Sequence, residues 1–484
     1  MTEEPVRPLV HFTPPVGWMN DPNGLVSVDG EHHLFFQHHP YSTQFGAMHW
    51  GHAASRDFVT WEHLPAALAP DELGLIFSGS AAIDRDDTAG FGAGAVVATF
   101  TYHDIDGPGS DDAFESQAIA WSTDGGRTFT KFAGNPVIPV DAERPMSRDP
   151  KVFRYGEHWV MVLSATSEIR IFTSPDLRTW ELTDAVGGFD YAGESLETPD
   201  LFPLVADDGT TQWVLTIGMM AGAPAGGSGT ALLIGDFDGL RFTARCGPRW
   251  VDHGANFYAA QSWNDLDDGR RVWIAWMGNW AEHAPPSQPD GAWRGQMSVP
   301  REVTLRAVGS KYVLEQRPVR ELAGRLGRAA DESTVAADGR RVWRGRALDL
   351  SLPLAIDASV RVVASRCGAD AFITVDRANC ELLVEIPQAV AGFGPAEGLV
   401  RRVRVPPIDI ALCVVLDAAS IEVFAGPVTI TDALGVDPSE WTVAVEPDGL
   451  PVAEGVRVDA LDPSPSHAEL ERPASDRRGD EVGG

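Results

Sequence analysis

The chain has 484 residues, of which 44% are hydrophobic and 22% charged, a composition typical of a globular protein with more than one domain. The formal net charge of −31 at pH 7 argues against a nucleic acid or an anionic membrane as a partner, because phosphate groups are bound by clustered lysine and arginine. No stretch approaches the ~18 consecutive apolar residues of a membrane helix.

The amino-terminal segment Met1–Pro8 lacks the apolar core of a secretory signal. The four cysteines are widely spaced, without a Cys-x-x-Cys motif. These two features together predict a cytoplasmic protein with reduced thiols.

Up to about residue 315, short runs of β-branched and aromatic residues alternate with turns rich in Gly, Pro, Asp and Asn, which predicts an all-β architecture. One turn motif recurs: Ser or Asp, any residue, Asp, and then an aromatic residue. Its copies begin at Ser55, Ser122, Ser174 and Asp236. Each copy follows one predicted strand and precedes another, so we interpret it as the outer hairpin of a repeated antiparallel sheet.

A second repeated element alternates with the first. An acidic or aromatic residue opens a short run, a turn follows, and an apolar strand returns. The copies begin at Asp21, Phe77, Asp149, Asp200 and Phe257. Five radially arranged units of about four strands each predict a five-bladed β-propeller, for which a β-sandwich with chance similarities is the alternative.

The pattern changes near residue 315. Residues 315–335 are predicted to form a linker with a short helix, and alternation resumes over 336–462, which predicts a smaller β-sandwich. The polar, charged residues 463–484 are predicted to be disordered. The predicted organisation is therefore all-β, with a five-bladed β-propeller at 1–314 followed by a C-terminal β-sandwich.

The innermost strands of a propeller converge on one central funnel, so residues near the starts of these strands should meet there. Asp21, Asp149 and Glu197 lie near such starts in three different units, and we expect their carboxylates to share one cavity. Two converging carboxylates suit glycoside hydrolysis, in which one attacks the anomeric carbon and the other protonates the leaving oxygen. A separation of ~5–5.5 Å would indicate retention of configuration, and ~6.5–9.5 Å inversion.

Neighbouring residues suggest different roles for these acids. Arg148 precedes Asp149, and its guanidinium is expected to keep Asp149 ionised, which suits contacts with sugar hydroxyls. Glu197 has no adjacent basic residue and is the preferred proton donor, with Glu194 as a rival. A structural ion pair at Arg148 and a satisfied Asp-Pro turn at Asp21 remain the alternatives for the separate motifs.

Aromatic side chains should line a sugar site, because their faces pack against the C–H groups of the ring. Trp50, Phe77, Trp276 and Trp293 lie near the predicted inner strands, although core packing is the commoner role for such residues.

Two other features resemble binding sites but predict none. The pairs His32-His33 and His38-His39 resemble metal ligands, yet adjacent residues of a strand point to opposite faces, so no metal site is predicted. The glycine-rich segment Gly222–Gly229 lacks the Lys-Ser/Thr ending of a phosphate loop and is expected to be a flexible loop near the funnel.

Several motifs resemble glycoside hydrolase family 32, the group of invertases, levanases and exo-inulinases. In chain order they are His11-Phe-Thr-Pro, Trp18-Met-Asn-Asp-Pro-Asn-Gly, Phe35-Phe-Gln, His49-Trp-Gly-His-Ala, Phe77-Ser-Gly-Ser, Arg148-Asp-Pro, Glu197-Thr-Pro-Asp-Leu-Phe and Met297-Ser-Val-Pro-Arg-Glu. Their order and spacing also fit, and the resemblance extends over nearly the whole chain.

This resemblance implies a propeller followed by a sandwich, net retention and no cofactor. It implies that Asp21 is the nucleophile, Asp149 the transition-state stabiliser and Glu197 the acid/base. The residues implied for the fructose-binding subsite are Asn20, Gln37, Trp50, Phe77, Ser78 and Arg148, and the aromatic pattern adds Trp276. The family commonly has Cys after the acid/base, where this chain has Thr198, and we expect this difference to affect the pH optimum.

The expected activity is exo-hydrolysis of terminal β-linked fructose from short levan- or inulin-type fructans and from sucrose. Fructose-containing oligosaccharides are therefore the expected partners, and a homo-oligomer is left open. The alternatives are a fructosyltransferase with the same nucleophile, an arabinan- or xylan-acting propeller glycosidase, and a non-catalytic carbohydrate-binding propeller.

Overall fold

The computed structural model describes residues 6–104, 114–189, 195–281, 292–324, 334–335, 341–392, 396–447 and 456–460. The regular structure in these ranges is almost entirely β, which confirms the all-β prediction. The helices there are α1 (Arg320–Gly324) and α2 (Gln388–Ala391), and neither has the length and apolar character needed to cross a membrane. The predicted tail at 463–484 lies outside the described residues.

The described residues up to Pro318 form five sheets of mainly antiparallel strands. The first contains β1 (Gly17–Val28), β2 (Glu31–His39), β3 (His49–Ser55) and β4 (Glu62–Leu68). The second contains β5 (Leu75–Asp84), β6 (Ala95–Asp104), β7 (Phe114–Ser122) and β8 (Thr130–Lys131). The third contains β9 (Ser147–Tyr155), β10 (His158–Ala165), β11 (Glu168–Ser174) and β12 (Glu181–Val186).

The fourth sheet contains β13 (Leu196–Val205), β14 (Thr211–Met219), β15 (Gly229–Phe237), β16 (Phe242–Ala244) and β17 (Arg249–Trp250). The next strands in the chain are β18 (Tyr258–Ser262), β19 (Val272–Trp276), β20 (Trp293–Arg294), β21 (Arg301–Val308) and β22 (Lys311–Pro318). Four of these form the fifth sheet, whereas β20 pairs in parallel with β1.

The first strands of the five sheets lie side by side in cyclic order. Strand β1 contacts β5, β5 contacts β9, β9 contacts β13, β13 contacts β18, and β18 contacts β1 again. Buried side chains fill the space between neighbouring sheets, such as Phe35 and Phe100 between the first two and Val162 and Leu215 between the third and fourth. This packing holds neighbouring first strands against one another.

The predicted outer hairpins are confirmed in the first four sheets. Ser55 ends β3, Asp57 accepts hydrogen bonds from the backbone N–H groups of Val59 and Thr60, and β4 pairs back onto β3. The same kind of bond is accepted by Asp124, Asp176 and Asp238. The side chain thus satisfies the backbone donors of each turn, which is why this short motif marks the hairpin.

After α1 the described strands are β23 (Thr334–Val335), β24 (Arg341–Gly345), β25 (Leu348–Leu354), β26 (Val360–Arg366), β27 (Ala369–Asp376), β28 (Glu381–Ile386), β29 (Leu399–Arg404), β30 (Ile410–Asp417), β31 (Ser420–Ala425), β32 (Val428–Ala433), β33 (Trp441–Pro447) and β34 (Arg457–Ala460). They form a seven-stranded sheet, β23-β24-β33-β26-β27-β28-β29, and a five-stranded sheet, β32-β31-β30-β25-β34. Buried aliphatic side chains of both sheets, including Val362 and Leu412, share one core.

A buried charge network, formed by His11, Arg301, Asp252, Asp417 and Glu422, joins the two parts of the chain. His11 Nδ1 lies 2.9 Å from an Asp417 oxygen, and Nε2 lies 2.7 Å from Glu422 Oε1. Arg301 donates to Glu422 Oε2 at 2.5 Å and approaches Asp252 at 3.3 Å. Burial opposes protonation of His11, but the bonds to the two carboxylates raise its pKa to about 9.

Candidate active site

In each of the five sheets up to Pro318, the first strand carries a β-bulge where it pairs with the second strand. At each bulge the first strand advances three residues while the second advances two, so the first strand contains one extra residue. The affected steps are Met19 to Pro22 in β1, Ile76 to Gly79 in β5, Arg148 to Lys151 in β9, Glu197 to Asp200 in β13 and Tyr258 to Gln261 in β18. Such an extra residue turns side chains away from the regular alternation.

Three of these bulges contain non-glycine residues with left-handed backbone angles. Asp149 has φ of 65°, Thr198 has φ of 44° and Ala259 has φ of 56°. This region of backbone space is sparsely populated by L-residues and is found preferentially at functional sites. Residues in four of the five bulges line one cavity.

A cavity of about 250 Å³ opens at the bulges. It brings together the carboxylates of Asp21, Asp149 and Glu197, which come from three different sheets. Five of the predicted binding residues also line it, namely Asn20, Gln37, Phe77, Ser78 and Arg148. The structure thus places eight of the ten predicted site residues around one cavity.

The cavity wall as described does not include Trp50 or Trp276, although both were predicted to bind substrate. Each is fully buried. Trp50 Nε1 donates to the carbonyl oxygen of Phe77 at 2.9 Å, and Trp276 packs against Trp18 and Trp280 at ring-centroid distances of 6.0 and 4.9 Å. The two indoles support wall residues from behind, because they form part of the core between the sheets.

Asp21 is held by hydrogen bonds to both of its carboxylate oxygens. Asn20 Nδ2 donates to Oδ1 and Ser78 Oγ donates to Oδ2, each at 3.1 Å. Trp18 Nε1 donates to Asn20 Oδ1 at 2.7 Å and so fixes the orientation of that amide. Burial, followed by the charge of Glu197, raises the pKa of Asp21 to about 7, while the two hydrogen bonds act in the opposite direction.

Arg148 forms ion pairs with Glu115 and Glu197. Its Nη1 donates to Glu115 Oε1 at 3.1 Å, and its Nη2 donates to Glu197 Oε1 at 2.8 Å. The guanidinium is thus the basic partner of Glu197, which has no basic neighbour in sequence, and its charge favours ionisation of the adjacent Asp149 without being the largest influence on it. Burial and the charge of Glu197 outweigh the charge of Arg148 and raise the pKa of Asp149 well above its usual value.

A hydrogen bond joins Asp149 on β9 to the neighbouring sheet. The backbone N–H of Thr198 on β13 donates to Asp149 Oδ2 at 2.9 Å. The backbone N–H of Asp149 itself donates to Thr101 Oγ1 at 3.1 Å. The bulge of β13 thus orients the carboxylate presented by the bulge of β9. Asp200, three residues after Glu197, instead forms a buried ion pair with Lys151 at 3.2 Å.

Glu197 also has a partner on the fifth sheet. The hydroxyl of Tyr258 donates to Glu197 Oε2 at 2.5 Å, so both oxygens of this carboxylate accept hydrogen bonds. Burial and the charge of Glu197 raise the pKa of Tyr258 well above its usual value, which keeps the phenol protonated. The rival acid Glu194 lies outside the described residues.

Five further residues line the cavity that the motifs did not indicate: Phe45, His103, Glu115, Met146 and Trp280. His103 stacks on Phe77 at 4.0 Å between ring centroids, and its Nδ1 lies 3.1 Å from Glu115 Oε1. Glu115 is fully buried although it lies next to the exposed Phe114, a reversal that alternation alone does not reveal. Of these five residues, Trp280 is the one that the sequence could have indicated, because it ends the segment Ala275–Trp280, which also contains the predicted site residue Trp276.

The glycine-rich segment Gly222–Gly229 is held by hydrogen bonds to Asn279 and to Trp280, of which Trp280 lines the cavity. The Asn279 Oδ1 atom accepts from the N–H of Ser228 at 3.0 Å, and Trp280 N donates to Ser228 Oγ at 3.0 Å. Because Trp280 lines the cavity, the position of this loop influences the shape of the opening.

The histidine pairs predicted not to bind metal take other partners. His33 Nδ1 lies 2.9 Å from His52 Nε2, and His38 Nδ1 lies 2.9 Å from the carbonyl oxygen of Trp18. In the described ranges, no group of three or more His, Cys, Asp or Glu side chains could hold a metal ion.

Comparison with protein families gives one match over most of the chain. The model of the glycosyl hydrolases family 32 N-terminal domain matches residues 11–318. The chain is 40% identical to the levanase of Bacillus subtilis (strain 168) over 469 residues, which cover 90% of this chain and 67% of that protein. It is 39% identical to an extracellular exo-inulinase of Aspergillus awamori over 351 residues, 65% of each protein. The chain spans about two thirds of the length of these relatives.

Solved structures show the same overall similarity. The exo-inulinase from Aspergillus awamori superposes with a TM-score of 0.82 at 30% identity, covering 96% of this chain and 100% of that one. A fructofuranosidase from Schwanniomyces occidentalis complexed with fructosylnystose has a TM-score of 0.80 at 27% identity, covering 95% and 98%. The chain is therefore a glycoside hydrolase, and it belongs to glycosyl hydrolases family 32.

Proposed function

We propose that the chain is a retaining exo-β-fructosidase that removes terminal β-D-fructofuranosyl residues from short fructans and from sucrose. The observation that carries this proposal is the meeting of Asp21, Asp149 and Glu197, from three different sheets, in one cavity. The names of its relatives, levanase, exo-inulinase and invertase, support fructose as the sugar.

In the first step, an Asp21 oxygen attacks C2 of the terminal fructosyl unit. The proton of Glu197 passes to the glycosidic oxygen, the C2–O bond breaks, and the leaving chain departs as an alcohol. The product of this step is a fructosyl ester on Asp21. The bonds from Asn20 and Ser78 fix the direction in which the Asp21 carboxylate points.

In the second step, Glu197 is ionised and accepts a proton from a water molecule. The oxygen of this water attacks C2, and the Asp21 carboxylate is released. The Arg148 guanidinium and the Tyr258 hydroxyl contact the two oxygens of Glu197 and stabilise its negative charge at this stage.

Asp149 is assigned to the sugar hydroxyls. Its Oδ2 accepts the N–H of Thr198, which fixes the carboxylate, and we assign Oδ1 as the hydroxyl acceptor. Hydrogen bonds to ring hydroxyls that strengthen as charge develops on the sugar would stabilise the transition state.

The dimensions of the cavity support action at a chain end. Its volume of about 250 Å³ lies below the ~300–1,000 Å³ of sites for drug-sized ligands, which fits one terminal sugar better than a stretch of polymer. Phe77, stacked on His103, and Trp280 supply aromatic surface for the C–H groups of the sugar.

We infer that the five sheets are the blades of a β-propeller that ends at Pro318, four residues beyond the predicted boundary at 314, because β22 continues to that residue. The cyclic order of their first strands supports this arrangement. We further infer that α1 lies in a linker between β22 and β23, shorter at both ends than the predicted 315–335, and that the two C-terminal sheets form a β-sandwich, which their shared core supports.

The test is product analysis with sucrose, levanbiose, inulin and levan. We expect fructose to be the sugar released from the two polymers until a chain is nearly consumed, and NMR of the first products to show the β-anomer. Internal oligosaccharides would contradict exo action, and the α-anomer would contradict retention. Growth of longer chains at high sucrose, in place of free fructose, would indicate a fructosyltransferase.

A further inference from the structure

A second cavity lies at the other end of the strands that carry the catalytic carboxylates. Its volume is about 380 Å³. On β9, Asp149 lines the first cavity and Tyr155 the second, and on β13 Glu197 lines the first and Leu201 the second. Tyr155 lies six positions after Asp149 on β9. A strand rises about 3.3 Å per residue, so the two residues are about 20 Å apart along the strand. The second cavity is therefore too distant to take part in bond cleavage.

One wall of this cavity is aromatic. Phe153, Tyr155 and Trp213 line it, and all three are only partly buried. The Trp213 ring lies 5.9 Å from the ring centroids of both Phe153 and Tyr155. A partly exposed cluster of aromatic rings in a concave site is typical of surfaces that bind sugar rings through their C–H faces.

Charged side chains of both signs complete the lining. The Arg154 guanidinium lies over the ring of Trp159 at 5.2 Å, and its Nη2 lies 3.6 Å from the carboxylate of Asp86. Arg271 is anchored through Nη1 to the carbonyl oxygen of Trp263 at 3.1 Å, and Asp265 is a carboxylate acceptor in the same wall. The guanidinium and carboxylate groups of this wall supply donors and acceptors of the kind that ligand hydroxyl groups use.

These features fit a neutral sugar better than an anion. Donors and an acceptor together with aromatic faces match the hydroxyl and C–H groups of a sugar ring. The two guanidinium groups of the lining are offset by the carboxylates of Asp265 and Asp86, and the net charge of −31 of the chain disfavours an anion further.

We propose that the second cavity binds fructosyl units of the same fructan chains as a non-catalytic attachment site. The choice of sugar rests on the proposed function. A long chain held here keeps its ends near catalytic cavities and raises their effective concentration, whereas sucrose is too short to gain from attachment.

Binding stoichiometry is the first test. The full chain with Asp21→Asn, which should not turn over substrate, is titrated calorimetrically with a short inulin oligosaccharide. We expect two sites per chain, of which Tyr155→Ala or Arg154→Met weakens one by about three- to tenfold. Tyr155→Phe should keep both sites, and Ile356→Ala, an exposed position in the C-terminal part, is the matched control. A single site in the chain with Tyr155 and Arg154 intact would overturn the proposal.

Kinetics separate this proposal from the proposed function. With Asp21 intact, Tyr155→Ala should leave kcat/KM for sucrose unchanged and raise KM for long inulin about three- to tenfold. Unchanged kinetics on both substrates would overturn the attachment site alone. Absence of fructose release from any substrate by the unmutated chain would overturn the proposed function instead.

Discussion

The hydroxyl of Tyr258 donates a hydrogen bond of 2.5 Å to Oε2 of Glu197. Tyr258 lies on β18 and Glu197 on β13, so the bond joins the first strands of two neighbouring sheets at the cavity. The phenol donor and the Arg148 guanidinium together hold Glu197 in one orientation.

Tyr258→Phe should therefore lower kcat about tenfold with little change in KM, because a hydrogen bond to a buried charged group is worth ~1.5–3 kcal/mol. The measurement is steady-state kinetics on sucrose. Tyr102→Phe is the matched control, since its hydroxyl donates to Asp71 away from the cavity. Equal losses in both variants would mean a general effect on folding.

Replacement of the catalytic acids should abolish turnover without unfolding the chain. We expect Glu197→Gln to lower kcat by about 10²–10⁴-fold, the usual contribution of a general acid/base, and Asp21→Asn and Asp149→Asn to be similarly impaired. Circular dichroism checks the fold, and Asp71→Asn is the control. Activity near the unmutated level in Asp21→Asn would exclude Asp21 as nucleophile.

The acid limb of the pH–rate profile should report the ionisation of Asp21. Attack on C2 requires the carboxylate, and burial raises its pKa to about 7, so kcat/KM should fall as the pH drops through 7. Ser78 donates a hydrogen bond that favours the charged form. Ser78→Ala should therefore move this limb to higher pH, and a shift to lower pH would contradict the assignment.

Buried neutral histidines should destabilise the protein in acid. Burial is the main cause that lowers the pKa values of His33 and His52, which bond to each other. The unfolded chain then binds more protons below its histidine pKa of ~6.5, so stability should fall as the pH drops below that value. His52→Gln should flatten the dependence of Tm on pH, whereas His158→Gln, at the outer end of β10, should not.

The His11 network should destabilise the protein in alkali. The folded pKa of about 9 lies above the unfolded value, so its contribution is complete below about pH 6.5 and is lost as the pH rises toward 9. His11→Gln should cost about 3–5 kcal/mol at neutral pH, because it removes the buried cation beside Asp417, whereas Glu422 keeps Arg301. Thermal unfolding at pH 6 to 9 measures both effects, and equal Tm losses across that range would contradict the linkage.

Much of the local structure could be predicted from the sequence because its causes are local. The Ser-x-Asp turns satisfy their own backbone donors within three or four residues, as Asp57 does for Val59 and Thr60, so the hairpins were predictable. Asn20 could be placed beside Asp21 because the two are adjacent, and they share a hydrogen bond.

Contacts between sheets were decided only by the tertiary structure. Glu115, Arg148, Glu197 and Tyr258 lie on four different strands, and no spacing in the sequence pairs them. Trp50 belongs to a sequence motif of the predicted site, but in the structure it lies behind the cavity wall, where it donates to the carbonyl oxygen of Phe77. The physical reason is the bulge: one extra residue reverses which face a side chain takes, and only packing against the neighbouring sheet determines where that residue lies.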